Sequence, residues 1–336
     1  MKEKVKALGL LSGGLDSRLA VKLMLEQGVE VEVIHFKLPF EGCCFPDCAF
    51  KFSQLELIPL HMVDVTKGRL FMEYIRLIRK PKYGYGSGMN PCVDCRIFML
   101  NVAKKIAKKI GAKFIFTGEV LNERPMSQTY KALKIIEREV GLEGKILRPL
   151  SARLLPKTEV EKEGLVDRSK LLAIRGRRRR RQLDLAEKFK LRNFPTPSGG
   201  CILCEKEFAA KLRDLLEHKK NIKPKDVELL KVGRHFRFNK SKIIVGRNEK
   251  ENKMLIKLKQ KTDYVFEVPG FGSPITILQG EKSRRAIRVA AKLTARYSDC
   301  KEEKVIVKYG KRKPTRSISV IPAKQKEVER WRIIFK

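Results

Sequence analysis

The sequence predicts an α/β fold, a doubly wound parallel sheet, followed by a helical linker and a small α+β domain. Three observations support it. Short apolar runs alternate with amphipathic stretches from Val5 to about Leu150. The composition then turns basic from Val160 to Phe189, and after Lys223 short strands and glycine turns follow. We therefore expect a sheet domain over 1–155, a basic helical linker over 156–230 and a third domain over 231–336.

The first predicted strand, Val5 to Leu11, runs into a glycine turn. The turn reads Leu11-Ser12-Gly13-Gly14-Leu15-Asp16-Ser17, and an amphipathic helix follows over 18–27. Such a turn directs backbone N–H groups and the positive end of a helix dipole at one point, and its glycines allow close approach. This geometry suits a phosphate. The alternative is a strand-to-helix turn without a ligand, in which Asp16 only caps the helix.

This turn is neither of the two commonest phosphate loops. The pattern Gly-x-x-x-x-Gly-Lys-Ser/Thr is absent, and no Gly-x-Gly-x-x-Gly follows the strand. Instead, Ser-Gly-Gly-Leu-Asp-Ser resembles the PP-loop of the ATP pyrophosphatases, which have an adenine nucleotide alpha-hydrolase-like fold. The resemblance implies that residues 11–17 bind the pyrophosphate end of ATP, with Mg²⁺ sharing the charge, and that the enzyme adenylates an oxygen.

Two later strand ends are expected at the same edge of the sheet as the glycine turn. They close the strands predicted over 29–36 and 112–116. Ligands of open α/β sheets gather at the carboxyl ends of the strands. The candidate nucleotide-binding residues at these ends are His35, Phe36, Thr117 and Gly118. His35 could equally be a core histidine.

The cysteines fall into three groups. With no export signal visible, eight cysteines are not expected to form a disulfide framework. Cys92 and Cys95 precede a helix predicted over 96–110, and Cys201 and Cys204 precede one over 207–218. At a helix N-terminus, next to Arg96, the Cys95 thiol is expected to have a lowered pKa. The third group, Cys43, Cys44 and Cys48, lies in a predicted loop whose spacing matches no standard ligand pattern.

The two Cys-x-x-Cys pairs leave three chemistries open. Cys92, Cys95, Cys201 and Cys204 could hold Zn²⁺, hold an iron–sulfur cluster such as [4Fe–4S], or act as sulfur-handling thiols. Asn90-Pro91 with Cys95 four residues after the proline, then Thr117-Gly118, resembles the tRNA thiouridylase branch of the PP-loop family. The resemblance implies that one cysteine carries a persulfide while another assists or closes a disulfide. Some members of the wider family instead hold a cluster on three cysteines, so persulfide and cluster both stay open.

The net charge points to a polyanionic partner. It is +37, from 75 Lys and Arg against 38 Asp and Glu. No apolar run approaches about 18 residues, so a membrane is not expected and cytoplasmic nucleic acid is. The run Arg177, Arg178, Arg179, Arg180 and Arg181 predicts contacts with a phosphate backbone. Its alternative is a solvated helix face.

The last hundred residues carry a second resemblance. Val245-Gly246-Arg247-Asn248 with Asn252, followed by Pro269-Gly270-Phe271-Gly272-Ser273, resembles the RNA-binding domain of the NFACT family of ribosome-associated proteins. The resemblance implies an RNA-binding domain in which Arg247 and Asn248 contact RNA. Both residue types also form turns, so a structural role is the alternative.

Together these features predict an ATP-dependent tRNA sulfurtransferase that adenylates a uridine carbonyl oxygen and replaces it with sulfur. Asp16 and the thiols of Cys95 and of Cys201 or Cys204 are the expected catalytic groups, and a desulfurase, a sulfur carrier or sulfide supplies the sulfur. The prediction requires both thiol pairs to fold against the glycine turn. The alternatives are a PP-loop enzyme with another substrate and a non-catalytic RNA-binding factor with a vestigial nucleotide loop.

Overall fold

The computed structural model describes residues 5–41, 46–195 and 201–334. They pack into two compact units, Met1–Cys204 and Glu205–Lys336. The residues expected to form a linker are thus divided between the units, with 156–204 in the first and 205–230 in the second. The three-domain division by function stays a prediction.

Unit 1 contains the predicted parallel sheet. Among its described residues five strands pair in parallel in the order β3-β2-β1-β4-β5, which confirms the fold class. The order reverses between β1 and β4, where ligands of such sheets bind. The strands are β1 Lys6–Leu10, β2 Glu30–Lys37, β3 Leu60–Asp64, β4 Phe114–Thr117 and β5 Ile146–Leu147. The helices are α1 Leu15–Glu26, α2 Pro46–Leu55, α3 Gly68–Arg79, α4 Cys92–Lys109, α5 Tyr130–Val140, α6 Glu159–Lys162 and α7 Arg180–Lys188.

The core of unit 1 extends beyond the predicted sheet domain. Leu15 and Leu19 of α1 are buried in the same apolar cluster as Phe116 of β4. Leu171 and Ala186, from the segment expected to be a linker, belong to that cluster too. Burial of these side chains therefore holds α7 beside the helix that follows the glycine turn.

The segment around Cys48 differs from the prediction. It was expected to be a loop, but helix α2 begins at Pro46 and is followed by β3 from Leu60. Proline is favoured at the first position of a helix, which explains the helix start. Leu57 adopts φ +54°, and the chain changes direction there before β3. Cys48 is therefore helical, whereas Cys43 and Cys44 lie outside the described residues.

Helix α4 begins earlier than expected. The prediction placed its start at Arg96, but the helix begins at Cys92, directly after Pro91. Both thiols of this pair therefore lie near the helix N-terminus.

Unit 2 is built on an antiparallel sheet. Its described strands pair in the order β11-β10-β8-β9-β7-β6, which confirms the α+β domain. The strands are β6 Arg234–Phe238, β7 Ser241–Val245, β8 Tyr264–Glu267, β9 Thr276–Gly280, β10 Val305–Gly310 and β11 Arg316–Val320. The helices are α8 Lys206–His218, α9 Pro224–Leu230, α10 Glu249–Leu258, α11 Arg284–Arg296 and α12 Gln325–Trp331. Within the described ranges no helix is both long and apolar enough to span a membrane.

Candidate active site

A cavity of about 390 Å³ opens at the carboxyl ends of β1, β2 and β4 in unit 1. This volume is within the range of small-molecule sites. The cavity collects most of the residues that the sequence predicted for nucleotide binding and sulfur chemistry. The predicted residues that line it are Leu11, Ser12, Gly14, Leu15, Asp16, Ser17, His35, Phe36, Thr117, Gly118, Cys92, Cys95, Cys201, Cys204 and Arg179.

The glycine turn has a backbone that other residues would disturb. Gly13 has φ +86°, a conformation that favours glycine. A Cβ on Gly118 would lie only 2.5 Å from the backbone nitrogen of Ser17, so the end of β4 fits against the start of α1 only because Gly118 has no side chain. The Ser17 hydroxyl donates to the Gly14 carbonyl at 2.8 Å. The turn is therefore held rigidly at the rim of the cavity.

The side chain of Arg18 stabilises the backbone of the glycine turn. The sequence did not predict this role. The Arg18 side chain is buried, and its Nε donates to the Gly13 carbonyl at 2.8 Å. Its terminal nitrogens donate to the carbonyls of Cys48 and Arg192, each at 3.3 Å. Because a helical arginine is usually exposed, the sequence gives no signal for this role.

His35 is buried in the core and also lines the cavity. Burial lowers the pKa of its imidazole, so the ring is neutral at pH 7. Its Nδ1 donates to the Leu11 carbonyl at 2.9 Å and fastens β2 to the end of β1. Its Nε2 is then an acceptor, and it has no hydrogen-bond partner among the described residues. Both interpretations of His35 therefore find support in the contacts.

Two carboxylates share the cavity wall. Burial raises the pKa of Asp16, although the charge of Arg179 opposes the rise. Burial also raises the pKa of Glu123, and the charge of Asp16 adds to that effect. One or two carboxylates together with phosphate oxygens are the ligands that Mg²⁺ commonly takes in nucleotide sites. The pair therefore fits a phosphate-bound Mg²⁺; Glu123 was missed because no predicted element contains it.

Backbone contacts bring the two thiol pairs together. Met89 N–H donates to the Leu203 carbonyl at 2.8 Å, and Ile202 N–H donates to the Phe40 carbonyl at 3.2 Å. A Cβ on Gly88 would lie 2.2 Å from the Leu203 oxygen, so only glycine permits this approach. The segments on either side of this contact carry Cys92 with Cys95 and Cys201 with Cys204. All four residues consequently line the same cavity as Ser12.

The expectation of a lowered thiol pKa at Cys95 is wrong. Burial raises the pKa of Cys95 to about 11, even though the Tyr74 hydroxyl, 3.1 Å from the sulfur, and the charge of Arg96 both lower it. Arg96 itself is paired with Glu119, with 3.0 Å between Nε and Oε1. Burial also raises the pKa of Cys201 well above its usual value. Loss of hydration therefore outweighs the helix N-terminus, and both thiols are protonated at neutral pH.

The thiols do not form a ready metal site. Over residues 5–41, 46–195 and 201–334, no three His, Cys, Asp or Glu side chains are grouped so that they could hold a metal ion. The described donors thus do not fit a Zn²⁺ ion or an iron–sulfur cluster as they stand.

A buried ion cluster fixes α4 against the sheet. The Glu119 carboxylate lies after β4 and is paired with Arg96 of α4 and with Arg148, at 3.0 and 3.1 Å. Arg148 also donates to Glu137 of α5, and the Thr117 hydroxyl donates to Glu119 at 3.0 Å. Burial favours the neutral acid, but the two guanidinium charges outweigh it and hold the pKa of Glu119 below its usual value. This cluster therefore positions the helix that carries Cys95.

The five arginines of the run at 177–181 do not all have the same environment. Arg177, Arg178, Arg180 and Arg181 are exposed. The Arg179 side chain, by contrast, is 15% exposed and lies 3.8 Å from Asp16 in the cavity. The exposed four remain available for the predicted phosphate contacts, whereas Arg179 lies among the nucleotide candidates.

In unit 2, Arg247 and Asn248 have structural partners. The Asn248 side chain accepts the Glu251 N–H at 3.0 Å and caps α10, a helix that was not predicted. The Arg247 Nε donates to Glu251 at 2.8 Å. These contacts support the turn-forming alternative, and RNA contact by the two residues stays a prediction.

Comparisons with known proteins support both resemblances. Residues 3–162 match the family model described as thiamine biosynthesis protein (ThiI), and residues 233–332 match that of the NFACT protein RNA binding domain. A probable tRNA sulfurtransferase of Thermoanaerobacter sp. (strain X514) is 32% identical over 46% of this chain and 38% of its own length. That of Thermococcus kodakarensis is 30% identical over 49% and 40%. A crystal structure of a 4-thiouridine synthetase–RNA complex with bound ATP is 29% identical over 49% of this chain and 42% of that chain, with a TM-score of 0.37.

The two predicted resemblances are thereby confirmed, each for its own part of the chain. The chain covers about two fifths of the length of these curated relatives.

We predict that Glu119→Gln destabilises the protein by about 3 to 5 kcal/mol at pH 7, because it leaves buried arginine charge uncompensated. The lowered pKa of Glu119 means that its stabilisation is complete above the unfolded value of 4.5 and is lost as the pH falls below it. The variant should therefore lose stability less steeply in acid. Urea unfolding between pH 3 and pH 7 measures both effects. Glu73→Gln, which removes an exposed pair with Arg69, is the control and should change stability by less than about 0.5 kcal/mol.

We predict that Cys95 reacts slowly with iodoacetamide in the native protein. With a pKa of about 11, roughly one thiol in a thousand is ionised at pH 8, and the thiolate is the nucleophile. The rate should rise about tenfold per pH unit from pH 7 to pH 9. Peptide mass spectrometry after timed labelling measures it, with urea-unfolded protein as the control. A rate that levels off near pH 7 would show a lowered pKa and contradict the assignment.

Proposed function

We propose that the protein is an ATP-dependent tRNA sulfurtransferase. The observation that carries the proposal is the cavity in which a phosphate-binding turn and two distant thiol pairs meet. The family match of residues 3–162 and the curated tRNA sulfurtransferases support the same chemistry. Activation of an oxygen and attack by sulfur could then occur at one place.

The glycine turn would bind the triphosphate of ATP. Backbone N–H groups of the turn and the start of α1 supply the donors. Asp16 and Glu123 would hold Mg²⁺ together with phosphate oxygens, and the ion would neutralise charge on the leaving pyrophosphate. His35 is neutral and offers Nε2 as an acceptor to a polar group of the nucleotide.

The reaction would have three bond exchanges. A uridine carbonyl oxygen attacks the α-phosphorus of ATP, and the bond to pyrophosphate breaks. The outer sulfur of a cysteine persulfide then adds to the ring carbon, and AMP leaves with the oxygen. A second thiol attacks the inner sulfur, releases the thiouridine and leaves a protein disulfide, which an external thiol must reduce. A desulfurase, or a sulfur carrier that itself holds a persulfide, would load the outer sulfur by transfer from its own persulfide to the cysteine thiol.

The positions of the thiols suggest a division of roles. Cys204 is exposed, whereas Cys92, Cys95 and Cys201 are partly buried. An exposed thiol can meet a sulfur donor, and the buried ones can exchange sulfur away from water. Because the described donors are not grouped as metal ligands, we favour this persulfide route over a cluster. Iron and sulfide assays on anaerobically purified protein test the choice.

The non-catalytic alternative explains less of the site. An RNA-binding factor with a vestigial nucleotide loop has no use for the two thiol pairs in the cavity wall or for the glycine at position 88. It predicts no pyrophosphate release from ATP, with or without tRNA. The enzyme predicts release that tRNA stimulates.

A basic hairpin of unit 2 is the surface that we propose for RNA. Strands β10 and β11 are joined by a turn with Lys311, Arg312 and Lys313, all exposed, and Arg316 follows at the start of β11. Exposed cations of this kind bind phosphates without reading the sequence. The match of residues 233–332 to an RNA binding domain supports this choice.

We predict that Cys95→Ser abolishes thiouridine formation, because the sulfur step loses a participating thiol. The affinities for ATP and tRNA should stay within about threefold, a change of less than 1 kcal/mol. Mass spectrometry of nucleosides from digested tRNA measures the product, and Cys300→Ala in the core of unit 2 is the control. Unimpaired thiolation would remove Cys95 from the mechanism.

We predict that replacing Lys311, Arg312 and Lys313 together by Gln weakens tRNA binding and its salt dependence. Each lost phosphate contact should reduce the slope of log K against log salt by about 0.7 to 0.9. Filter binding between 50 and 200 mM salt measures the slope. Replacing Lys105, Lys108 and Lys109, exposed on α4, removes the same charge elsewhere and should have a smaller effect. Equal effects of the two triple variants would indicate general charge attraction instead of a specific surface.

A further inference from the structure

The third residue of the arginine run faces the cavity because of helical spacing. Helix α7 begins directly after Arg179, and its buried residues are Gln182 and Ala186. Positions 179, 182 and 186 are related as i, i+3 and i+7, so they share one face. Ala186 is in the core beside α1, and Arg179 lines the cavity. The packing of α7 therefore directs one arginine of the five inward.

The guanidinium group of Arg179 is not fully hydrogen-bonded within the described residues. Its closest carboxylate oxygen, Oδ2 of Asp16, is 3.8 Å from Nη2, which is beyond hydrogen-bond distance. Its buried Nε and the Oδ1 of Asp16 have no hydrogen-bond partner among the described residues. Unmet buried polar groups cost free energy. The arrangement suits a ligand that brings acceptor oxygens.

The surroundings of Arg179 point to the same kind of ligand. Gln182 is fully buried, and neither atom of its amide meets hydrogen-bond geometry with any described residue. Arg124 also lines the cavity, and its charge acts on Asp16. The glycine turn completes the wall. Two guanidinium groups beside a phosphate-binding turn favour a polyphosphate over a neutral ligand.

We propose that Arg179 binds the pyrophosphate portion of ATP directly. The inference rests on the proposed function and deepens it, because the ligand is the leaving group of that reaction. When the oxygen of the substrate attacks the α-phosphorus, the electrons of the broken bond pass to the pyrophosphate. A guanidinium fixed at that end stabilises the charge as it develops. In the free protein Asp16 is the carboxylate nearest to Arg179; with a phosphate bound to Arg179, Asp16 would be available to hold Mg²⁺.

The test compares Arg179→Gln with Arg180→Gln, the exposed next residue. Calorimetry of the full chain without RNA measures binding of ATP, inorganic pyrophosphate and AMP. Arg179→Gln should weaken ATP and pyrophosphate binding about 10- to 100-fold, the range for a hydrogen bond to a charged group. Binding of AMP should change by less than about twofold, and Arg180→Gln should leave all three unchanged. Arg179→Lys, which keeps the charge, should recover part of the loss.

Each other result has a definite meaning. If pyrophosphate binds Arg179→Gln as it binds the native protein, the inference is wrong. If AMP binding is lost together with pyrophosphate in the Gln and Lys variants, Arg179 only supports the cavity, which also overturns it. If Arg179→Gln weakens tRNA binding and leaves ATP binding unchanged, the arginine belongs to the RNA surface. If the native protein binds neither ATP nor pyrophosphate, the proposed function itself fails.

Discussion

The hydrogen bond from Met89 to the Leu203 carbonyl is the contact on which the site depends. It joins two segments that are far apart in the chain, and it forms only because Gly88 leaves room for the carbonyl. A single backbone hydrogen bond contributes only about 1 kcal/mol, so the apolar core of unit 1 must first bring the segments close. The hydrogen bond then sets their register. Without it, the segment that carries Cys201 and Cys204 would lose a contact that sets its position against the segment before Cys92 and Cys95.

Burial determines which groups of this site can carry a charge. The same dehydration that raises the pKa of Cys95 raises that of Asp16 and Glu123. The anionic forms of these three groups are therefore disfavoured. A triphosphate brings several negative charges into this environment, so cations must accompany or meet it. In the proposed complex Mg²⁺, Arg124 and Arg179 would supply that charge, whereas Arg96 is already paired with Glu119.

The sequence was sufficient for the fold class and for the residues at the carboxyl ends of β1, β2 and β4, since both follow from local patterns. Alternation of strands and helices determines a parallel sheet, and a parallel sheet places Ser12, His35 and Thr117 at one edge. The sequence did not correctly predict the protonation state of the thiols. A helix N-terminus and a neighbouring arginine are visible in sequence, but the burial of Cys95 and the pairing of Arg96 with Glu119 depend on tertiary packing. The same holds for Arg18, whose partners lie in α2 and near Arg192.

The arginine run shows where periodicity carries more information than composition. Five consecutive cations indicate a phosphate backbone, and four of them are exposed as that interpretation requires. Helix α7, however, begins directly after Arg179 and turns by about 100° per residue, so Arg180 and Arg181 lie off the face that carries Gln182 and Ala186. Ala186 is the apolar residue that fixes the inward face, and Gln182 and Arg179 follow from it at helical spacing. A polar pair on the face that packs against α1 can be retained only if something satisfies it. The cavity beside the glycine turn, where Arg179 lies within 3.8 Å of Asp16, is the place where a ligand can do so.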